Sequence, residues 1–151
     1  MSNKYLFNLK NVHYAPVTVG EDGTLSFGAV TRLMGTTELT MELEQSSEKH
    51  FSEGLVYFVT TSSAGYKGEI SIYNVDAKFE KDVFGMKEDT KKVQYEDMYA
   101  QPKEIALLFE VDGNEKAERH CLLRIKVSKP KYEYKTTTDK TDVPILKMSY
   151  E

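Results

Sequence analysis

Three carboxylates share one set of alternate positions in Glu38-Leu39-Thr40-Met41-Glu42-Leu43-Glu44, with Glu38, Thr40, Glu42 and Glu44 alternating against Leu39, Met41 and Leu43. On an extended strand, residues two apart share a face at about 7 Å. Glycoside hydrolysis uses carboxyls at comparable separations, but on opposite sides of a cleft. Three on one strand face instead suggest a surface turned to water, a lumen or a partner, with Leu39, Met41 and Leu43 turned to a core. The histidines, His13, His50 and His120, fall on three segments with no His-x-His or His-x-x-x-His spacing to hold a metal. Cys121 has one base beside it, His120. Neighbouring strand residues point to opposite faces, so His120 is badly placed to activate it. In the run Cys121, Leu123, Ile125, Val127 the thiol reads as a small buried hydrophobe. There is no Gly-x-x-x-x-Gly-Lys loop and no Gly-x-Ser-x-Gly elbow. The expectation is a protein that is not an enzyme and has no cofactor and no metal.

The elements that carry these residues follow from composition and periodicity. At 151 residues, 40% hydrophobic and 29% charged, the chain is expected to be one globular domain spanning 1–151 with one core. A single cysteine excludes an intrachain disulfide. No apolar run reaches the roughly 18 residues of a membrane span. The start, Met1-Ser2-Asn3-Lys4-Tyr5, lacks the apolar stretch of a signal peptide, which predicts cytoplasmic synthesis and release, if any, by lysis. A net charge of −4 with mixed signs argues against nucleic-acid binding, which needs a basic face to displace counterions. It is compatible with a conduit past which DNA moves without sticking.

Period-two alternation between Gly, Asp, Asn and Ser clusters predicts a mainly β fold. Strands are expected at Asn11–Val17, with Pro16 at an end or edge, and at Glu38–Glu44, with extended chain over Thr24–Gly28 after the Gly20–Gly23 turn and on through Ala29 to Gly35. Another is expected around His50–Phe51 and Leu55–Thr61, broken at Ser52-Glu53-Gly54. Leu55–Val59 is apolar on both faces, a pattern usually covered on both. The second cover could be a neighbouring subunit, which makes Val56, Tyr57 and Phe58 candidate intersubunit residues. Ser62–Gly65 reads as a loop and Lys67–Asn74 as a strand with Ile70 and Ile72 inward. Asp76 is expected to cap a two-turn helix that Gly85 ends. Phe79 and Val83, four apart, face the sheet with Phe84 beside them.

Residues 86–102 are polar and charge-rich, so they form a surface loop or an arm toward a neighbour. Tyr95, Met98 and Tyr99 are its candidate docking residues. A hairpin then joins Glu104–Val111 to Arg119–Val127 through Asp112-Gly113-Asn114. Lys131–Thr138 alternates as a strand, Thr141-Asp142 turns, and Val143–Tyr150 forms the last strand. Ten tyrosines and no tryptophan are present. Tyr14, Tyr57, Tyr73, Tyr132 and Tyr134 suit sites half-buried between subunits, or a sheet that exposes tyrosine for its β-propensity.

The order of several short stretches resembles the major tail proteins of long-tailed bacteriophages with non-contractile tails. These are Leu9–Val17, Ala29–Gly35, Leu39–Glu42, Gly65–Glu69, Lys81-Asp82-Val83-Phe84-Gly85, Ala106-Leu107-Leu108-Phe109-Glu110 and Arg119-His120-Cys121-Leu122. The acidic insert after Gly85 and the C-terminus depart from the pattern. With the chain stopping at Glu151, no immunoglobulin-like decoration is expected. The resemblance implies two packed antiparallel sheets or a rolled β-barrel flanked by one short helix. It also implies hexameric rings stacked into a tube that conducts viral DNA without binding it specifically. Implied partners are a tape-measure protein, tail-tip and terminator proteins, with assembly in the bacterial cytoplasm, residence in the virion tail and no membrane. On that reading Glu38, Glu42 and Glu44 face the lumen, and the N-terminal segment and residues 86–102 are candidate arms between rings. Two rivals remain. One is a β-sandwich ligand- or carbohydrate-binding module, monomeric with a fixed cleft. The other is the tube protein of a contractile injection particle, which would share the fold.

Overall fold

A computed structural model describes residues 2–141 and 143–151. It is mainly β, with one short helix among the described residues.

β1 (Leu6–Val19) is the spine of the first sheet. Its ladder with β9 (Glu104–Gly113) shifts register between Phe7 and Leu9 and again between Lys10 and His13. Asn8 (φ 58°) and Asn11 (φ 51°), at these two breaks, take the left-handed conformation that asparagine tolerates better than most residues. Each bulge increases local twist and curls the strand. Val12 and Tyr14 then enter the core. Pro16 lies within β1, at the last pair of its ladder with β9 (Pro16 opposite Ile105), where a missing N–H costs least. The Gly20–Gly23 turn returns the chain as β2 (Leu25–Phe27), and β3 (Thr31–Arg32) also pairs with β1. β10 (Glu118–Lys126) completes the sheet on the far side of β9.

The chain crosses to the second sheet at Leu33–Gly35. Buried Leu33 donates its N–H to the Val12 carbonyl at 2.8 Å, and Gly35 (φ 85°) makes the turn into β4 (Thr36–Leu39). β4 pairs with one edge of β6 (Leu55–Ile72), and β11 (Leu146–Tyr150) with the other. β5 (Glu42–Ser52) pairs with β6 beyond β4. The two sheets meet along a seam. Val127 bridges Tyr150, Lys126 and Glu151 exchange backbone bonds at 2.9 and 3.2 Å, and Ser128 donates to Ser149 at 2.8 Å. Joined at this seam and at the Leu33–Gly35 corner, the antiparallel sheets curl around a shared core.

Tyr14, Ile70, Ile72, Ile105, Leu107, Val127 and Met148 are buried in that core. Helix α1 (Ala77–Phe84) closes on it with Phe79, Val83 and Phe84. Phe79 meets Tyr14 edge-on at 5.0 Å and Phe84 at 5.6 Å, geometries that add to simple area burial. The Tyr14 hydroxyl donates to Asp82 at 3.1 Å, so the helix is anchored by packing and by a polar bond. Gly85 ends it in the left-handed conformation (φ 71°). Asp76 occupies the N-cap position, but its side chain makes no capping bond.

Several expectations are corrected. The first strand begins at Leu6, five residues before Asn11, and the N-terminal segment is not a free arm. Asn3 plugs the β9–β10 turn, accepting from the Glu115 and Lys116 amides at 2.9 and 3.0 Å and donating to Glu118 at 2.9 Å. That turn follows Gly113, later than expected. Cys121 is exposed. A bulge between Leu122 and Ile125 shifts the register, so Leu122 and Ile125 are core-facing while Cys121 and Leu123 are exposed. Met41 and Leu43 are exposed, because the part of β6 they accompany has left the core. Ser62–Gly65 lies within β6. Lys131–Thr138 forms no strand, because no ladder partner lies beside it. Tyr132 instead donates to Glu80 at 3.0 Å and stacks on Tyr134. Of the Thr141-Asp142 turn, Asp142 lies outside the described residues.

Candidate assembly interface

The least ordinary part of the molecule is the β5–β6 hairpin. Among the described residues its pairing runs without a third strand from Glu42 opposite Lys67 to Ser52 opposite Leu55. The turn is two residues, Glu53 (φ 53°) and Gly54 (φ 80°). Positive φ at both central positions is the type I′ geometry that matches strand twist, with glycine in the more demanding place. At about 3.3 Å per residue, the 11 residues of β5 reach about 36 Å. From Leu55 to Lys67 every residue of β6 is exposed, as is every residue of β5 except His50, so neither face of the arm is covered.

The arm has two chemistries along its length. The shaft, Glu44–Glu48 with Thr60–Gly65, is small and polar. At the tip, Phe51 and Val56 are paired on one face, and His50 and Phe58 on the other, their rings stacked at 4.4 Å. Tyr57 is the extra residue of a bulge between those pairs. Leu55 and Tyr57 are 74% and 76% exposed, and Phe51 67%. An isolated two-stranded hairpin is marginal in water. A contiguous apolar patch rimmed by polar residues marks an interaction site. The arm also leaves the outer edge of β5, and that of β6 before Gly68, free to pair with another chain.

Val56, Tyr57 and Phe58 therefore sit together at the exposed tip. The shaft that carries them was not legible. One signal did point to it, the Glu-Gly dipeptide between His50-Phe51 and the apolar run Leu55–Val59. Glu38, Glu42 and Glu44 lie along one edge of β6, opposite Ser71, Lys67 and Gly65, but on two strands with a gap at Thr40-Met41. Glu44 is ion-paired to Lys67 at 3.7 Å.

Tyr95, Met98 and Tyr99 are exposed on the 86–102 segment, which is a surface loop folded back on its own body. It forms a small ladder, β7 (Lys87–Glu88) with β8 (Gln94–Tyr95). Gln94 donates to the Ala77 carbonyl at 3.3 Å, Lys87 pairs with Asp97 at 2.7 Å, and the Lys103 amide donates to Val83 at 2.8 Å. Lys81–Glu88 and Lys129–Glu96 are further ion pairs.

The outer face of the first sheet carries interleaved charges. Lys10 bridges Asp112 (2.6 Å) and Glu110 (3.4 Å), Arg119 joins Glu110 (3.4 Å), and Arg124 forks onto Glu104. Arg124 holds the Glu104 carboxyl below its ordinary range. Partial burial pushes Glu110 up, but Lys10 and Arg119 together bring it below as well. Depressed carboxyls contribute stability above their unfolded pKa, near 4, and lose it as pH falls through the folded values. Glu104→Gln is therefore expected to lower the urea midpoint at pH 7. The deficit should shrink as pH falls below about 4 and close once the folded carboxyl is itself protonated, and should shrink in high salt. A deficit independent of pH would contradict this origin.

His13, Leu108 and Cys121 form one row on the same outer face, whereas His120 stacks on Phe109 at 5.3 Å. Among the described residues no group of His, Cys, Asp or Glu is placed to hold a metal, and no buried side-chain polar atom lacks a partner. No protein-family model matches the chain, and no curated protein matches it.

Proposed function

We propose that this chain is the repeating subunit of a phage-type tail tube, a structural protein without an active site, which assembles into stacked hexameric rings around a DNA-conducting lumen. The observation that carries the reading is the arm. Thirteen residues of β6 and nearly all of β5 are exposed, with large apolar side chains concentrated at the far end. A monomer gains nothing from holding such a tip in water, whereas a repeating assembly buries one tip per subunit. A ring closes and a stack of rings stays open-ended when each contact joins different patches of identical subunits. An arm on one side of a curled body supplies that asymmetry. The order of sequence motifs and the mainly β body with one short helix support the same reading. Tape-measure, tail-tip and terminator proteins would be its partners in the virion tail.

Negative-stain electron microscopy of the purified chain across concentration, with light scattering on size exclusion, tests this. Rings or tubes with a central hole are expected, and their appearance should rise steeply with concentration. A monomer at every concentration, with the arm tip protected from exchange by its own body, would overturn it.

A further inference from the structure

β4 and β5 follow the same edge of β6 in one register. Leu39 faces Ile70, and three residues on Glu42 faces Lys67. Between them, where body gives way to arm, the ladder lapses and a different arrangement replaces it. Thr40 is tied to Glu69 through its N–H (2.9 Å to the carbonyl) and its hydroxyl, which accepts from the Glu69 amide at 2.8 Å. Its carbonyl leans over Gly68 and accepts from the Tyr150 hydroxyl at 2.6 Å. Tyr150 belongs to β11, on the other side of β6, directly opposite Gly68. The phenol thus crosses β6 above the glycine and grips the third strand. A Cβ at residue 68 would strike the Thr40 carbonyl and lie 2.8 Å from the Tyr150 hydroxyl, so only glycine leaves the passage open.

We infer that Tyr150, acting through Thr40 across Gly68, is a positioning residue that sets the direction in which the arm leaves the body. Beyond Glu42 and Lys67 neither face of the hairpin is packed, so bending freedom concentrates at the lapse. A tether from a third strand removes it there. That the direction matters for assembly rests on the proposed function: an arm already aimed loses less freedom on docking, and preorganisation of this kind strengthens association.

The test is pulsed electron paramagnetic resonance on the full chain at non-assembling dilution, in a Cys121→Ser background with spin labels at Glu53→Cys and Glu21→Cys. The parent should give one narrow distance distribution, and Tyr150→Phe should broaden it roughly twofold. Thr40→Val, a change at an exposed residue that leaves the core intact, should broaden it too, and Thr40→Ser should restore the parent width. If Tyr150→Phe fails to fold, Thr40→Val reads the joint alone. Widths equal to the parent in the folded variants overturn the inference, even where tubes still form. A broadened arm in a chain that stays monomeric at every concentration, with its tip protected from exchange by its own body, sustains the joint and removes the tail-tube reading instead.

Discussion

Val56→Asp and Phe58→Asp should each abolish tube formation while leaving a folded monomer. The two side chains lie on opposite faces of the arm tip, Val56 paired with Phe51 and Phe58 with His50. Both are about half exposed (49% and 53%), so a carboxylate at either place stays in water in the monomer and disturbs no core residue. Surface changes of this kind cost within about 0.5 kcal/mol. In an assembly that buries the tip, the same carboxylate is an uncompensated charge, costing several kcal/mol. With about 1.4 kcal/mol per decade, a loss of about 3 kcal/mol raises the concentration needed for assembly roughly a hundredfold. Circular dichroism should match the parent, and light scattering should show only monomer where the parent polymerises. If one variant assembles and the other does not, only one face of the tip is contacted. If both assemble as the parent does, the arm tip is not the contact.

Phe79→Ala should be the most damaging substitution in the body. Phe79 is 1% exposed and packs edge-on against both Tyr14 and Phe84, joining the helix to the first sheet. Removing a buried phenylalanine ring costs about 3–5 kcal/mol through lost transfer energy and the cavity left behind. Against a total of about 5–15 kcal/mol for a domain, that is a fifth of the stability or more. The urea midpoint should fall with an unchanged slope, as expected for a two-state protein whose unfolded surface is the same. A drop no larger than that of an exposed alanine substitution would mean that the helix is not integral to the core. Tyr14→Phe is the companion measurement. It keeps the ring and deletes only the hydroxyl bonded to Asp82, so its cost should be about 1 kcal/mol.

Most of the body was legible because its signals are local. Phe79, Val83 and Gly85 announce a short helix with one apolar stripe and a left-handed stop, and those residues serve in those places. Ile70 and Ile72 alternate with polar neighbours and are buried. The failures share a cause. Unbroken alternation with Ile125 and Val127 would place Cys121 in the core, but a bulge between Leu122 and Ile125 reverses the faces. Met41 and Leu43 alternate like core residues, yet the sheet beside them has no second layer. Lys131–Thr138 alternates without a partner to pair with, and alternation alone does not make a strand.

Ser62–Gly65 is the inverse case. Its small polar residues look like a loop, and they are a strand because Glu44, Gln45 and Ser46 lie opposite. Residues 86–102 likewise have no apolar period, and ion pairs with Lys81 and Lys129 fold them onto the body.

By itself, then, the sequence determined the β class, the helix with its Phe79–Val83–Phe84 stripe, the inward residues of the central strands and the doubly apolar stretch Leu55–Val59. Each of these is a property of neighbours within a few residues, where side-chain type and backbone geometry are directly coupled. Only the tertiary structure decided that this stretch is the tip of a long arm, that Glu38 and Glu44 belong to different strands of one edge, and that Tyr150 reaches Thr40 across Gly68. Those facts depend on pairing partners tens of residues away, on bulges that shift register by one residue, and on where a second layer of packing ends. None of these leaves a period in the chain.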